Sequence, residues 1–143
     1  MVESAPHPPG PSSGTKVLAT LAAGATLVVL DLLWLGVLAR DFYRSSLSTL
    51  AREETHAAAA ILFYAMYLAT VVIYAVFGAS GLGSAAKRGA ALGFVAYSTY
   101  ELTNWAVLRD WPARLVPVDI TWGVVLTAAA AVAGKLAERS RAR

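Results

Sequence analysis

The sequence predicts an all-α integral membrane protein, a four-helix bundle with a short interfacial helix between the first two spans. Three observations point there. Of the 143 residues, 57% are hydrophobic, against about 45–50% in a soluble domain. Four apolar runs each reach the roughly 20 residues that a spanning helix needs. The charged residues gather in the short segments between those runs, where topology signals belong.

Residues 1–15 are rich in Pro, Ser and Gly. They bury no apolar surface and read as a disordered tail. A transmembrane domain follows over residues 16–137, with spans at Val17–Leu38, Ala57–Phe77, Gly89–Leu108 and Leu115–Gly134. The first run is longer than the about 7–15 apolar residues of a signal peptide, so it reads as a retained helix. Between the first two spans, residues 41–56 are polar. Phe42, Tyr43, Leu47 and Leu50 form one face of a short helix lying at the membrane surface. Phe42, Tyr43 and Trp111 suit an interfacial aromatic belt. Gly89 and Gly93 make a G-x-x-x-G, with Ala128–Ala131 and Gly134 as a second thin surface, and such residues let helices approach closely. Pro117 is tolerable in a first helical turn and frees a carbonyl near Asp119. Residues 138–143 form a basic tail.

Composition also excludes. With no cysteine, disulfides, thiolate metal sites and cysteine nucleophiles are ruled out. Two histidines, His7 in the tail and His56, do not make a bis-histidine haem or a multi-histidine zinc site. The net charge of +3 does not signal nucleic acid, because the basic residues flank apolar runs. Lys16, Lys87, Arg88, Lys135, Arg139, Arg141 and Arg143 share one side of a four-span chain, and Arg40, Arg44, Arg52, Arg109 and Arg114 the other. Seven against five favours cytoplasmic termini.

Asp31, Glu101, Asn104 and Asp119 fall inside the spans. An acid at mid-bilayer costs about 2.5–3.5 kcal/mol on insertion scales, and such residues usually face inward and serve a function. Three acids without an intramembrane Lys or Arg call for protonation, a bound cation, or Arg side chains reaching in from the loops. At about 1.5 Å rise per residue, Asp31, Tyr64 and Glu101 each lie roughly 10 Å, and Asp119 roughly 6 Å, from the face opposite the termini. Facing agrees with depth. Tyr97, Tyr100, Glu101 and Asn104 form one stripe on the third span. Tyr64, Tyr67 and Tyr74 share a face of the second, with His56 at its outer end. On the first and fourth spans, Asp31 and Trp34, and Asp119 and Trp122, are i, i+3 pairs. Lipid cannot satisfy these groups, so they turn to the bundle interior. The candidate ligand-binding residues are therefore Asp31, Trp34, Tyr64, Tyr67, Tyr97, Tyr100, Glu101, Asn104, Asp119 and Trp122. The repeated D-x-x-W also suggests a faint internal repeat of the kind transporters carry; the plainer alternative is that the Trp N–H groups bond the carboxylates.

These motifs carry a resemblance. D-x-x-W, Phe42-Tyr43 and A-I-L-F-Y-x-x-Y (Ala60–Tyr67) form the first half. The second half is G-x-x-x-Y-x-x-Y-E-L-T-N (Gly93–Asn104), Trp111-Pro112 and D-I-T-W-G (Asp119–Gly123). Over roughly residues 17–134 the chain resembles the small bacterial membrane proteins called domain of unknown function 2177. The resemblance implies four helices and a bacterial inner-membrane location. It implies no established activity, cofactor or catalytic residue.

Three functions compete. The first is binding or transport of a small cation, a proton-coupled solute or a lipid headgroup, since buried acids lined by Trp and Tyr suit cationic groups. A bundle this small needs to form a homodimer to build a pathway across the bilayer. The second is a membrane enzyme acting on a lipid or an isoprenoid, with carboxylates and Tyr as acid–base groups. No nucleophile motif, metal signature or phosphate loop supports it, and the sequence names no cofactor. The third is an accessory subunit whose polar cluster is structural.

Overall fold

The computed structural model describes residues 11–48, 50–52 and 54–141. His7 lies outside the described residues. Five helices follow in order among them: α1 (Ser13–Leu33), α2 (Arg40–Ser46), α3 (Ala57–Thr70), α4 (Leu82–Val107) and α5 (Leu115–Ser140). α1 starts three residues inside the segment expected to be tail, because Ser12 caps it by accepting the Thr15 N–H at 3.3 Å. α1 and α3 each continue without a break into a wide π-helical segment, Trp34–Leu38 and Val71–Phe77. The i→i+5 bonds Ala39 N–H to Trp34 C=O (2.7 Å) and Gly78 N–H to Ile73 C=O (3.1 Å) mark their ends.

Among the described residues, three helical stretches are long and apolar enough to cross a membrane: Ser13–Leu38, Ala57–Phe77 and Leu115–Ser140. α4 has the length, 26 residues. It falls short of the others in apolarity because Lys87, Arg88, Glu101, Asn104 and a run of Tyr, Ser and Thr interrupt it.

α5 is the central helix, packed most extensively against α4, then α1 and the π segment of α3. Small residues make this closeness. A side chain at Gly89 would put its Cβ 2.6 Å from the Thr127 carbonyl oxygen, and one at Gly93 would run into the backbone of Gly123. The G-x-x-x-G of α4 thus lies directly on α5. Near the termini, Gly134 sits against Val76, Ala19 and Ala23. Leu27, Val71, Ala75, Leu126, Ala130 and Ala131 fill the interior around them. Tyr67 crosses this core to bond Thr127 at 2.7 Å. Tyr67→Phe is expected to lower stability by about 0.6 kcal/mol, the usual worth of an interhelical bond in a membrane protein, as read from unfolding in mixed micelles.

The interior mixes an apolar core with buried polar groups, and the outside is largely apolar. Asp31, Glu101, Asp119, Thr127 and Lys135 are buried, while Leu32, Ile61, Leu62, Ile73, Phe94 and Val125 are exposed. A continuous apolar exterior of this kind is a membrane surface, not a water surface. The termini meet at one end, where Gly14 lies beside Arg141 and Gly81 beside Arg139. The buried acids lie toward the other.

Candidate functional site

Three carboxyl groups from three helices converge at the end away from the termini, each met by aromatic donors. Asp31, near the end of α1, accepts from the Tyr64 hydroxyl of α3 and, at 3.1 Å, from the Trp122 indole N–H of α5. Asp119, in the second turn of α5, accepts from the Tyr43 hydroxyl of α2. Trp34 in turn donates to that hydroxyl at 3.2 Å. Glu101 of α4 is wholly buried and accepts from the Trp111 indole N–H at 2.8 Å. Its other oxygen, Oε1, has no hydrogen-bond partner, and Asp119 lines the same cavity.

The two D-x-x-W motifs face each other across antiparallel α1 and α5. Trp34 and Trp122 stack with centroids 4.5 Å apart and planes 8° from parallel. Trp122 reaches the aspartate of the other motif directly, and Trp34 does so through Tyr43. The local exchange of partners follows from two Asp-to-Trp spacings of one turn running in opposite directions.

A cavity of about 520 Å³ opens among these groups. Asp31, Glu101 and Asp119 line it together with Tyr43, Tyr64, Tyr67, Tyr97, Tyr100 and Trp122. Leu35, Leu47, Phe63, Ala96 and Leu115 complete the wall. Among the described residues, no Lys or Arg lines it. Arg114 does not reach in from the loop. It donates to Ser46 (3.1 Å) and Ser45 (3.2 Å) and lies over the Phe42 ring, pinning α2 to the start of α5. Among the described residues the one ion pair is Lys135–Glu138, 2.5 Å apart and near the termini. The same residues hold no group of three His, Asp or Glu arranged as metal ligands.

Eight of the ten expected residues therefore line one cavity. Trp34 stands behind Trp122 rather than in the wall. Asn104 is half-buried and does not line the cavity; the polar stripe of α4 ends at Glu101, which Trp111 covers. Tyr74 also departs from the expected face. The π segment changes the turn there, and Tyr74 lies beneath Arg88, whose guanidinium sits 5.1 Å from its ring and donates to its carbonyl at 3.0 Å.

The interfacial belt needs correction at two positions. Trp111 is buried and Tyr43 half-buried, both with hydrogen bonds to site acids or their partners. Phe42, Tyr43 and Leu47 pack with Trp111, Leu115 and Val116 into a small apolar cluster that closes the loop end of the site. Burial, and then the bond to Asp119, push the Tyr43 phenol well above its ordinary range, so it stays a donor at neutral pH. Trp111→Phe removes the indole donor from the buried Glu101 carboxyl group. It is expected to cost about 1–3 kcal/mol, read as a lower melting temperature of the purified protein.

The family described as predicted membrane protein DUF2177 matches residues 16–136, nearly the whole described bundle. The chain belongs to this family. No curated protein and no solved structure matches it. As a DUF2177 protein it resides in a lipid bilayer, in keeping with its apolar exterior. The D-x-x-W, Y-E-L-T-N and D-I-T-W-G segments all fall within the matched region, and each supplies at least one cavity-lining residue.

Proposed function

We propose that this DUF2177 protein crosses the bacterial inner membrane four times, with its termini in the cytoplasm, and binds a cationic group in its non-cytoplasmic half. The binding residues are Asp31, Glu101 and Asp119, with Tyr43, Tyr64, Tyr67, Tyr97, Tyr100 and Trp122 around them. α4 is the fourth span: its Phe94, Val95, Leu102 and Val107 are exposed and give it a largely apolar outer face, the outward Thr99 and Thr103 hydroxyls bond to carbonyls of their own helix, and Glu101 is buried. The seven basic residues at the terminal end support the orientation.

One observation carries the reading. Three buried carboxyl groups share a cavity that no basic side chain lines among the described residues. Their charge needs an exogenous partner. Glu101 Oε1 is buried without a hydrogen-bond partner, so it is open to a donor or a positive charge brought by a guest. The aromatic faces, Trp122 foremost, add attraction for a cation. A cation that enters competes with protons for the three carboxyl groups. Toward the termini the bundle closes on Leu126, Ala130 and Ala131, so a single chain supplies a binding site, and a path across the bilayer calls for a second copy.

The experiment titrates the purified full chain with tetraphenylphosphonium in weakly buffered detergent, following heat and a pH dye together. Saturable binding with proton release is expected. Absence of both would remove the reading and leave the acids a structural role.

A further inference from the structure

We infer that the cavity is loaded from the bilayer, and that its occupant is a lipid-like amphiphile whose cationic head meets the acids while its chain lies between α3 and α4. The nature of the head rests on the reading above; the lateral opening does not.

The opening follows from how α3 is held. Its π segment packs against α1, α4 and α5, but Ala57–Thr70 packs closely only on α1. Toward the loop end the α3 backbone stands away from α4 and α5, bridged by side chains such as Tyr67, whose ring meets Tyr97 edge-on at 6.5 Å. Two cavity-lining side chains flank this gap and are exposed at the bundle surface, Phe63 of α3 at 42% and Tyr100 of α4 at 54%. That surface lies at membrane depth. Met66, one turn from Phe63 on α3, is exposed beside it, so the α3 lip is apolar.

The route from the aqueous side is covered. α2 lies across the loop end, clamped by Arg114. Phe42 and Leu47 pack there on Trp111, Leu115 and Val116. A solute arriving from water meets this cap, whereas one dissolved in the outer leaflet meets an open seam. The wall matches such a solute: carboxyl groups lie at the deep side, and Phe63, Ala96 and Leu35 offer apolar surface for a chain.

The test uses the absence of native cysteine. Nitroxide labels are placed at Phe63→Cys and Tyr100→Cys. Ile61→Cys serves as the lipid-facing control and Ser48→Cys as the water-facing one, all in the full chain in phosphatidylglycerol bilayers. The expected result is severalfold stronger relaxation by dissolved oxygen than by a water-soluble nickel chelate at 63 and 100, as at 61. Dodecyltrimethylammonium should then immobilise the labels at 63 and 100 and leave 61 unchanged. Nickel access equal to that at 48 overturns the lateral route, even if tetraphenylphosphonium still binds. Oxygen access without immobilisation overturns the amphiphile. Immobilisation that persists in a Glu101→Gln, Asp119→Asn double variant overturns the role of the acids and leaves the opening standing.

Discussion

Asp119→Asn is expected to weaken tetraphenylphosphonium binding about a hundredfold, since losing one partner of a buried charge interaction costs about 2–5 kcal/mol. The substitution preserves shape. Asn still accepts from the Tyr43 hydroxyl, so α2 and the Trp111 cluster keep their places. What disappears is one carboxyl group able to carry a negative charge or a proton. Two readouts should therefore change together, affinity and proton release, while the melting temperature stays within a few degrees of wild type. A variant that binds normally and still releases its proton would show that Asp119 is structural. Tyr43→Phe is the companion test. It leaves the charge and removes only the donor, so affinity should fall far less.

The largest stability effect is expected at Gly93. Replacement by Leu places a branched side chain where the Gly123 backbone lies. α4 must then leave α5, and the cost is about 3 kcal/mol. Because the two helices carry Glu101 and Asp119, the same change should abolish cation binding. Gly83, also in α4, is the control: nothing stands within 4 Å of its would-be Cβ. Gly83→Ala should be neutral or slightly stabilising by helix propensity. Thermal unfolding in one detergent compares the two directly.

Much of the site was legible because a helix converts sequence spacing into position with little freedom. Asp31, Tyr64, Glu101 and Asp119 could be placed at a common depth from residue counts alone, and all four line the cavity. Facing was legible wherever the turn stayed regular. It failed at Tyr74, where the π segment Val71–Phe77 widens the turn. No feature of V-V-I-Y-A-V-F announces that change, which depends on the packing of the segment against three other helices. Segments between helices were least legible. Trp111 sits ten residues after Glu101, and only the chain reversal between α4 and α5 brings its indole back onto that carboxyl group. An aromatic residue near a predicted membrane boundary looks the same in sequence whether it faces headgroups or turns inward. α4 falls below the apolarity of the other long helices because Glu101, Asn104 and its Tyr, Ser and Thr residues lower it, although Phe94, Val95, Leu102 and Val107 are exposed on it.

The Trp34–Trp122 stack has an optical consequence. Of the four tryptophans, Trp105 is exposed and Trp111 lies against Tyr100, edge to face at 5.6 Å. Only Trp34 and Trp122 share parallel ring planes at stacking distance. Trp122 turns one face to its partner and borders the cavity. An occupant that shifts Trp122 alters the overlap of the two indoles, and with it their emission. Trp34→Phe should erase that component of the signal while the ligand still binds. The protein thus carries an intrinsic fluorescent gauge of cavity occupancy, readable without a label.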